Sequence, residues 1–141
     1  MYIKQLSIFI ENREGRLKEV LEILKKGHVN IVSMSLADTS EYGLLRLMVD
    51  NPEAGRAVLQ EHSVPVMLTE VLGIRLAHRV GRLQELLEII CDAGINIEYL
   101  YGLSSGADAS VVIKASDMKK AVDVLQQNEV ELVSAEDIMK M

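Results

Sequence analysis

The stretch "ENREGRLKEVLEILKKGHVNI" at residues 11–31 returns at residues 77–97 as "AHRVGRLQELLEIICDAGINI", with ten of 21 positions identical. Gly15/Gly81, Arg16/Arg82, Leu17/Leu83, Asn30/Asn96 and Ile31/Ile97 each fall 66 residues apart. So many identities between two parts of one chain point to an internal duplication. Each copy reads as a strand exit, a Gly-centred turn and an amphipathic helix. Leu17, Val20, Leu21 and Leu24 follow i, i+3, i+4, i+7, with Lys18, Glu19, Glu22 and Lys25 opposite them. Leu83, Leu86, Leu87 and Ile90 repeat the stripe. Gly27 is expected to supply the left-handed residue that ends the first helix.

Working outward, "YIKQLSIFI" (2–10) sets Leu6, Ile8 and Ile10 on one face at period two, a strand signal. "VNIVSMSLAD" (29–38) and "YGLLRLMVD" (42–50) are aliphatic runs joined by the polar "TSE", which reads as a hairpin. Asn51-Pro52 opens a second helix, with Pro52 at the first helical position and Ala54, Ala57, Val58 and His62 as its expected inner stripe. "VPVMLTEV" (64–71) completes βαββαβ. The second half spells the same order: strand 71–77, helix 81–93, strands 95–103 and 109–114, helix 117–127, strand 130–134. Its hairpin loop, "SSGAD", reads as shorter, so the offset between copies is expected to fall by two beyond it.

The expected fold class is α+β: two ferredoxin-like βαββαβ modules, residues 1–70 and 71–141, with antiparallel sheets and helices on one face. A unit of about 65 residues buries only about 60% of its unfolded surface, and Thr69, Glu70 and Val71 leave no linker. The modules are therefore expected to pack side by side.

The chain has 49% hydrophobic but only 4% aromatic residues, so the core must be aliphatic. A formal charge of -6 repels polyanions, and with Phe9 as the one Phe there is no aromatic platform for RNA. Nucleic acid is not expected as a partner. No apolar run reaches the length of a membrane span and the first residues alternate like a strand, so neither a membrane nor a secretory route is implied and a cytoplasmic protein is expected. Cys91 is the single cysteine and is expected to be a small buried hydrophobe. His28, His62 and His78 lack metal-ligand spacing, so no metal is expected. No Ser-His-Asp set, Cys-His pair or phosphate loop can be assembled, which reads as a non-enzyme without cofactor.

The turn itself carries chemistry. Gly15 and Gly81 permit a positive φ, and the amides that follow are unpaired N–H groups of a helix start, which favour a carboxylate or phosphate.

The spacing "x-N-R-x-G-x-L", followed after one helix by "(G)-x-N-I", resembles the ACT domain, a βαββαβ regulatory module of amino-acid metabolism found in phosphoglycerate dehydrogenase, aspartokinase and related enzymes. The resemblance covers the chain as two modules with no catalytic domain. It implies a sensor that binds an amino acid at the interface of two modules. Asn12 and Asn30 take positions where some members hold the ligand by side-chain amides, and the backbone of Arg13, Glu14, Gly15, Arg16 and Leu17, with Ile31 nearby, meets its carboxylate. The matching second set is His78, Arg79, Val80, Gly81, Arg82 and Leu83, with Asn96 and Ile97. Where many members carry Pro before the Gly, this chain has Glu14 and Val80, and His78 replaces Asn12, so the two corners are chemically unequal. A homodimer and a metabolic enzyme partner are further expectations. The alternative is a dimerisation subunit that docks on such an enzyme without binding a metabolite.

Overall fold

The computed structural model describes residues 2–38, 41–77, 79–105 and 108–141. The chain divides into two compact units, one of Lys4–Thr69 with Ile138–Met141 and the other of Met1–Ile3 with Glu70–Asp137.

The first unit contains β1 (Ile3–Glu11), α1 (Arg16–Lys26), β2 (Ile31–Asp38), β3 (Tyr42–Val49), α2 (Pro52–Glu61) and the start of β4 (Val66–Leu76). Its strand order is β2-β3-β1-β4. β3 lies antiparallel to both β1 and β2, with Leu6↔Leu47 and Ile8↔Leu45 in register. Period-two alternation sends Leu6, Ile8 and Ile10 to the side where Leu45, Leu47 and Val49 also point. Val20 and Leu24 of α1 and Leu59 of α2 close that core, so both helices cover one sheet face.

The second unit repeats the pattern with β4, α3 (Arg82–Asp92), β5 (Ile97–Ser105), β6 (Asp108–Ala115), α4 (Met118–Gln127) and the two-residue β7 (Leu132–Val133). The order is β5-β6-β4-β7, the first unit's order in equivalent strands. Leu72 and Ile74 of β4, Val111 and Ile113 of β6, Leu86 and Ile90 of α3, and Val122 and Leu125 of α4 form its core.

The expected separate strands at 64–71 and 71–77 are one strand. β4 is the last strand of the first repeat and the first of the second. The expected change of offset does not occur: β3 and β6 begin at Tyr42 and Asp108, and the N-caps of α2 and α4 are Asn51 and Asp117, again 66 apart. By the strand bounds the second connection, residues 106–107, is one residue shorter than the first, residues 39–41, because β5 runs one residue further than β2 in the frame of the repeat; Thr39, Ser40, Gly106 and Ala107 lie outside the described residues.

Other corrections follow from local packing. Gly27 has φ −82°, and His28 takes the left-handed conformation at φ 56° where the second copy has Gly94 at φ 77°. Gly27 packs closely on α2, since a Cβ there would lie 3.1 Å from both methyls of Val58 and would need Val58 to shift slightly. In α2 the buried residues are Gly55 and Leu59, and exposed His62 sets Nδ1 2.9 Å from the Val58 carbonyl. Cys91 is exposed, because the neighbouring Ile90 takes the inward direction and the next residue turns about 100° away. Finally, the C-terminal residues form α5 (Ala135–Met139). A reciprocal cap starts it: the Ser134 N–H donates to Asp137 Oδ2 at 2.9 Å and the Asp137 N–H to Ser134 Oγ at 3.1 Å. The Ser-x-x-Asp signature was readable in the sequence. No helix among the described residues is long and apolar enough to cross a membrane.

Candidate ligand-binding site

The two glycine corners have nearly the same backbone. Gly15 (φ 83°, ψ −9°) and Gly81 (φ 85°, ψ −4°) are left-handed N-caps of α1 and α3. The Arg16 N–H donates to the Arg13 carbonyl and the Arg82 N–H to the Arg79 carbonyl, both at 3.3 Å. Glu19 and Glu85 make the first helical bonds, to Gly15 and Gly81, both at 3.0 Å. An added Cβ would meet nothing within 4 Å at either corner. Glycine is therefore required by φ, and the space around it is open.

What distinguishes α1 and α3 from their sister helices is the cap. Asn51 Oδ1 accepts from the Ala54 N–H at 3.1 Å and Asp117 Oδ1 from the Lys120 N–H at 3.0 Å. Gly15 and Gly81 have no side chain to do this. The early amides of α1 and α3, those of Leu17, Lys18, Leu83 and Gln84, have no intrahelical acceptor and carry the positive end of the helix dipole.

The corner arginines are occupied. Arg13 reaches Glu19 at 3.0 Å and Glu11 at 3.1 Å, and Arg16 reaches Glu19 at 3.1 Å. In the second copy Arg79 reaches Glu85 at 2.6 Å and Arg82 reaches the same carboxylate at 3.3 Å. These hydrogen bonds hold Glu19, through Arg13 first and then Arg16, and Glu85, through Arg79, below the usual carboxylate range. Arg13 and Arg79 are raised in turn by Glu19 and Glu85. The charge balance differs, because Ala77 and Val80 stand where Glu11 and Glu14 do. Glu11, Glu14 and Glu19 offset Arg13, Arg16 and Lys18, whereas Arg79 and Arg82 face Glu85 alone. The second corner is the more positive, and Val80 beside it is fully exposed. His78 lies outside the described residues.

At the first corner a cavity of about 200 Å³ is lined by Ile10, Glu11, Asn12, Arg13, Leu17, Leu36 and Gly43. That is below the roughly 300–1,000 Å³ of drug-sized sites and suits a smaller molecule. Leu36 walls it on the β2 side. Gly102 is the equivalent residue in the second copy, and a Cβ there would meet nothing within 4 Å.

Asn30 and Asn96 do not join the glycine corners of their own modules. Glu11 pairs with Tyr42 at one end of β3 and Ile31 with Val49 at the other. Seven residue steps along β3 separate them, roughly 23 Å at about 3.3 Å each. Asn30 lines a separate shallow hollow of about 430 Å³ with Leu21, Lys25, His28, Val29 and Ile31. Its N–H donates to Asp50 Oδ1 and its carbonyl accepts from the Asp50 N–H, both at 3.0 Å. Asn96 repeats this with Ser116 at 3.0 and 2.8 Å. The backbone makes this clasp, and both asparagines are exposed.

The whole chain, residues 1–141, matches the family described as the ACT domain pair. The crystal structure of a protein from Bacteroides thetaiotaomicron is 37% identical, with TM-score 0.94 over 100% of this chain and 98% of that one. The ligand-free regulatory subunit of aspartate kinase from Thermus thermophilus shares the fold at 16% identity and TM-score 0.61, covering 88% and 90% of the two chains. The Thermus flavus subunit does so at 20% identity and TM-score 0.53, with the same coverage. No curated protein sequence matches the chain. The duplicated βαββαβ units, the left-handed glycine corners and a match over the full length agree: the chain belongs to the ACT domain family of regulatory modules, as an ACT domain pair.

Proposed function

We propose that this chain is a non-catalytic regulatory protein that binds a small amino acid, with the ligand carboxylate on the open helix start at Gly81 or Gly15. The observation that carries this reading is the missing cap: of the four long helices, the two that follow a left-handed glycine present uncapped amides, and both arise from the duplicated corner. The more positive balance at Arg79 and Arg82 makes the second corner the stronger carboxylate site. Since Asn30 lies a sheet length from Gly15, one small ligand can use an asparagine and a glycine corner together only across a seam between two modules, of one chain or of two. A ligand that touches both sides favours the joined arrangement by its differential affinity, and that shift is the regulatory signal.

Calorimetric titration of the chain with each of the twenty amino acids tests the proposal. Heat is expected for one or a few, and weaker binding by Gly81→Ala, with a smaller effect of Gly15→Ala, assigns the corner.

One observation favours a second reading. The corner arginines are already paired with Glu19 and Glu85, as in a surface that needs no ligand. A dimerisation subunit docking on a metabolic enzyme, as the Thermus subunits belong to aspartate kinase, would then be silent in every titration and co-purify with its enzyme.

A further inference from the structure

The two corners share a backbone and differ in the wall beside it. At the first, Leu36 of β2 and Leu17 of α1 bound the cavity that opens next to Asn12 and Arg13, with Ile10 and Gly43 on the sheet beneath. Leu36 fits there because Gly43 has no side chain. A Cβ at Gly43 would lie 3.3 Å from Leu36 Cδ1 and 3.2 Å from Ile10 Cγ1, tighter than ordinary contact. In the second copy both members of this pair have changed, in opposite directions: Gly102 stands for Leu36 and Ala109 for Gly43. The strand register is kept. Ile10 pairs with Gly43 as Leu76 does with Ala109, and Leu36 pairs with Leu45 as Gly102 does with Val111. The exchange removes four side-chain carbons at one position and returns one at the other, so the second wall is smaller by three. The space near Gly102 is not refilled, since a Cβ there would meet no atom beyond its chain neighbours within 4 Å.

The chemistry of the wall has changed with its size. Ala77 replaces Glu11, while Leu76 and Leu83 keep the apolar character of Ile10 and Leu17. We propose that the pair at 36 and 43, and its counterpart at 102 and 109, sets the side-chain size each corner accepts. Leu36 restricts the first corner to the smallest amino acids, such as glycine, and Gly102 with Ala109 lets the second take a short aliphatic side chain, as in valine. This rests on the reading of the corners as amino-acid sites, and adds to it a ligand class and the residues that choose it. The helix start is the same in both copies and holds the carboxylate alike, so discrimination falls to the strand wall opposite Leu17 or Leu83. Valine exceeds glycine by the three carbons that the second wall lacks. Each buried methylene group is worth roughly fourfold in affinity, so the three together could favour valine by up to about sixtyfold.

Calorimetric titration of the full chain with glycine and L-valine as probes tests this through the ratio of their affinities. The unaltered chain is expected to bind L-valine about tenfold or more tightly than glycine. The variant Gly102→Leu/Ala109→Gly transplants the first wall into the second corner and is expected to lower that ratio by about tenfold or more. Gly102 lies outside the left-handed region, so a leucine there is unstrained and the variant should still melt as a folded chain. Gly102→Leu alone keeps Ala109 and should move the ratio in the same direction, which separates the wall from any weakening of β6 by a new glycine. Variants that lose affinity for both probes equally, with the ratio kept, show a merely structural role and overturn the proposal. So does an unaltered chain that binds glycine as tightly as L-valine, or one that takes only polar or charged amino acids. In those cases the corners remain amino-acid sites. Silence toward all twenty amino acids overturns that reading as well as this one.

Discussion

Gly81→Ala is expected to destabilise the chain and weaken its ligand by amounts that share one origin. At φ 85° an L-residue carries about 1–2 kcal/mol of left-handed strain. No clash adds to it, because a Cβ at Gly81 meets nothing within 4 Å. The reduced freedom of the unfolded chain offsets about 0.4–1 kcal/mol, which leaves a net loss of about 1 kcal/mol. If the corner stays left-handed, the full loss shows in stability. If the corner relaxes to another conformation, part of the strain disappears from stability and reappears as the work of restoring the binding geometry. The loss in unfolding free energy and the loss in binding free energy should therefore sum to about 1 kcal/mol, whichever way the corner responds. Urea titration measures the first, as a midpoint shift of roughly 0.5–1 M at an m-value of about 1–2 kcal/mol/M. Calorimetry measures the second, at most about a fivefold weakening. Gly81→Asn is the control, since Asn visits the left-handed region readily, and it should restore most of both quantities. A summed loss above about 3 kcal/mol, or an Ala variant more stable than the original, would refute the strain argument.

Other outcomes are open to measurement. Glu85→Gln releases Arg79 and Arg82, and should tighten binding of an amino acid at the second corner several-fold in calorimetry; unchanged affinity would place the ligand elsewhere. His28→Gly removes a left-handed non-glycine residue where the second copy has Gly94, and should raise stability by up to about 1 kcal/mol in urea titration. Gly55→Ala puts a Cβ 2.8 Å from Leu6 Cδ1 in the first core, and should lower stability by about 1–3 kcal/mol despite the better helix propensity of Ala. The folded pKa values of Glu19 and Glu85 lie below the ordinary 4.5. Their stabilising pairs are complete above that pH and are lost as pH falls through the lowered values. Acid titration of stability should therefore steepen only below pH 4.5, and Glu19→Gln/Glu85→Gln should flatten it.

The repeat in the sequence was enough to place every helix and strand that obeys a period. What it misplaced shows where periodicity stops carrying information. The junction at Thr69–Val71 looks like two strand ends because each repeat needs an edge there, yet an unbroken extended run serves both at once. Leu83 has the spacing of a core residue and is exposed, since a stripe tells only which way a side chain leans, and the width of the sheet beneath decides how much of the stripe is covered. The site residues were less legible still. Gly15 and Gly81 announce a left-handed turn because few other residues tolerate one. Asn30 and Asn96 recur just as faithfully, but their distance from the glycines is set by the direction of β2, which is parallel to β1 and starts at the opposite end of the sheet. Nothing local encodes that separation.

Duplication also explains why the copies remain alike in one respect and differ in another. Positions held identical between them, Gly15/Gly81 and Glu19/Glu85 among them, sit where the backbone turn and its ion pair must close in the same geometry. Lys18/Gln84, Lys25/Cys91 and Lys26/Asp92 stand on exposed helix flanks where folding exerts little constraint, and there lysine faces a neutral residue twice and an acid once.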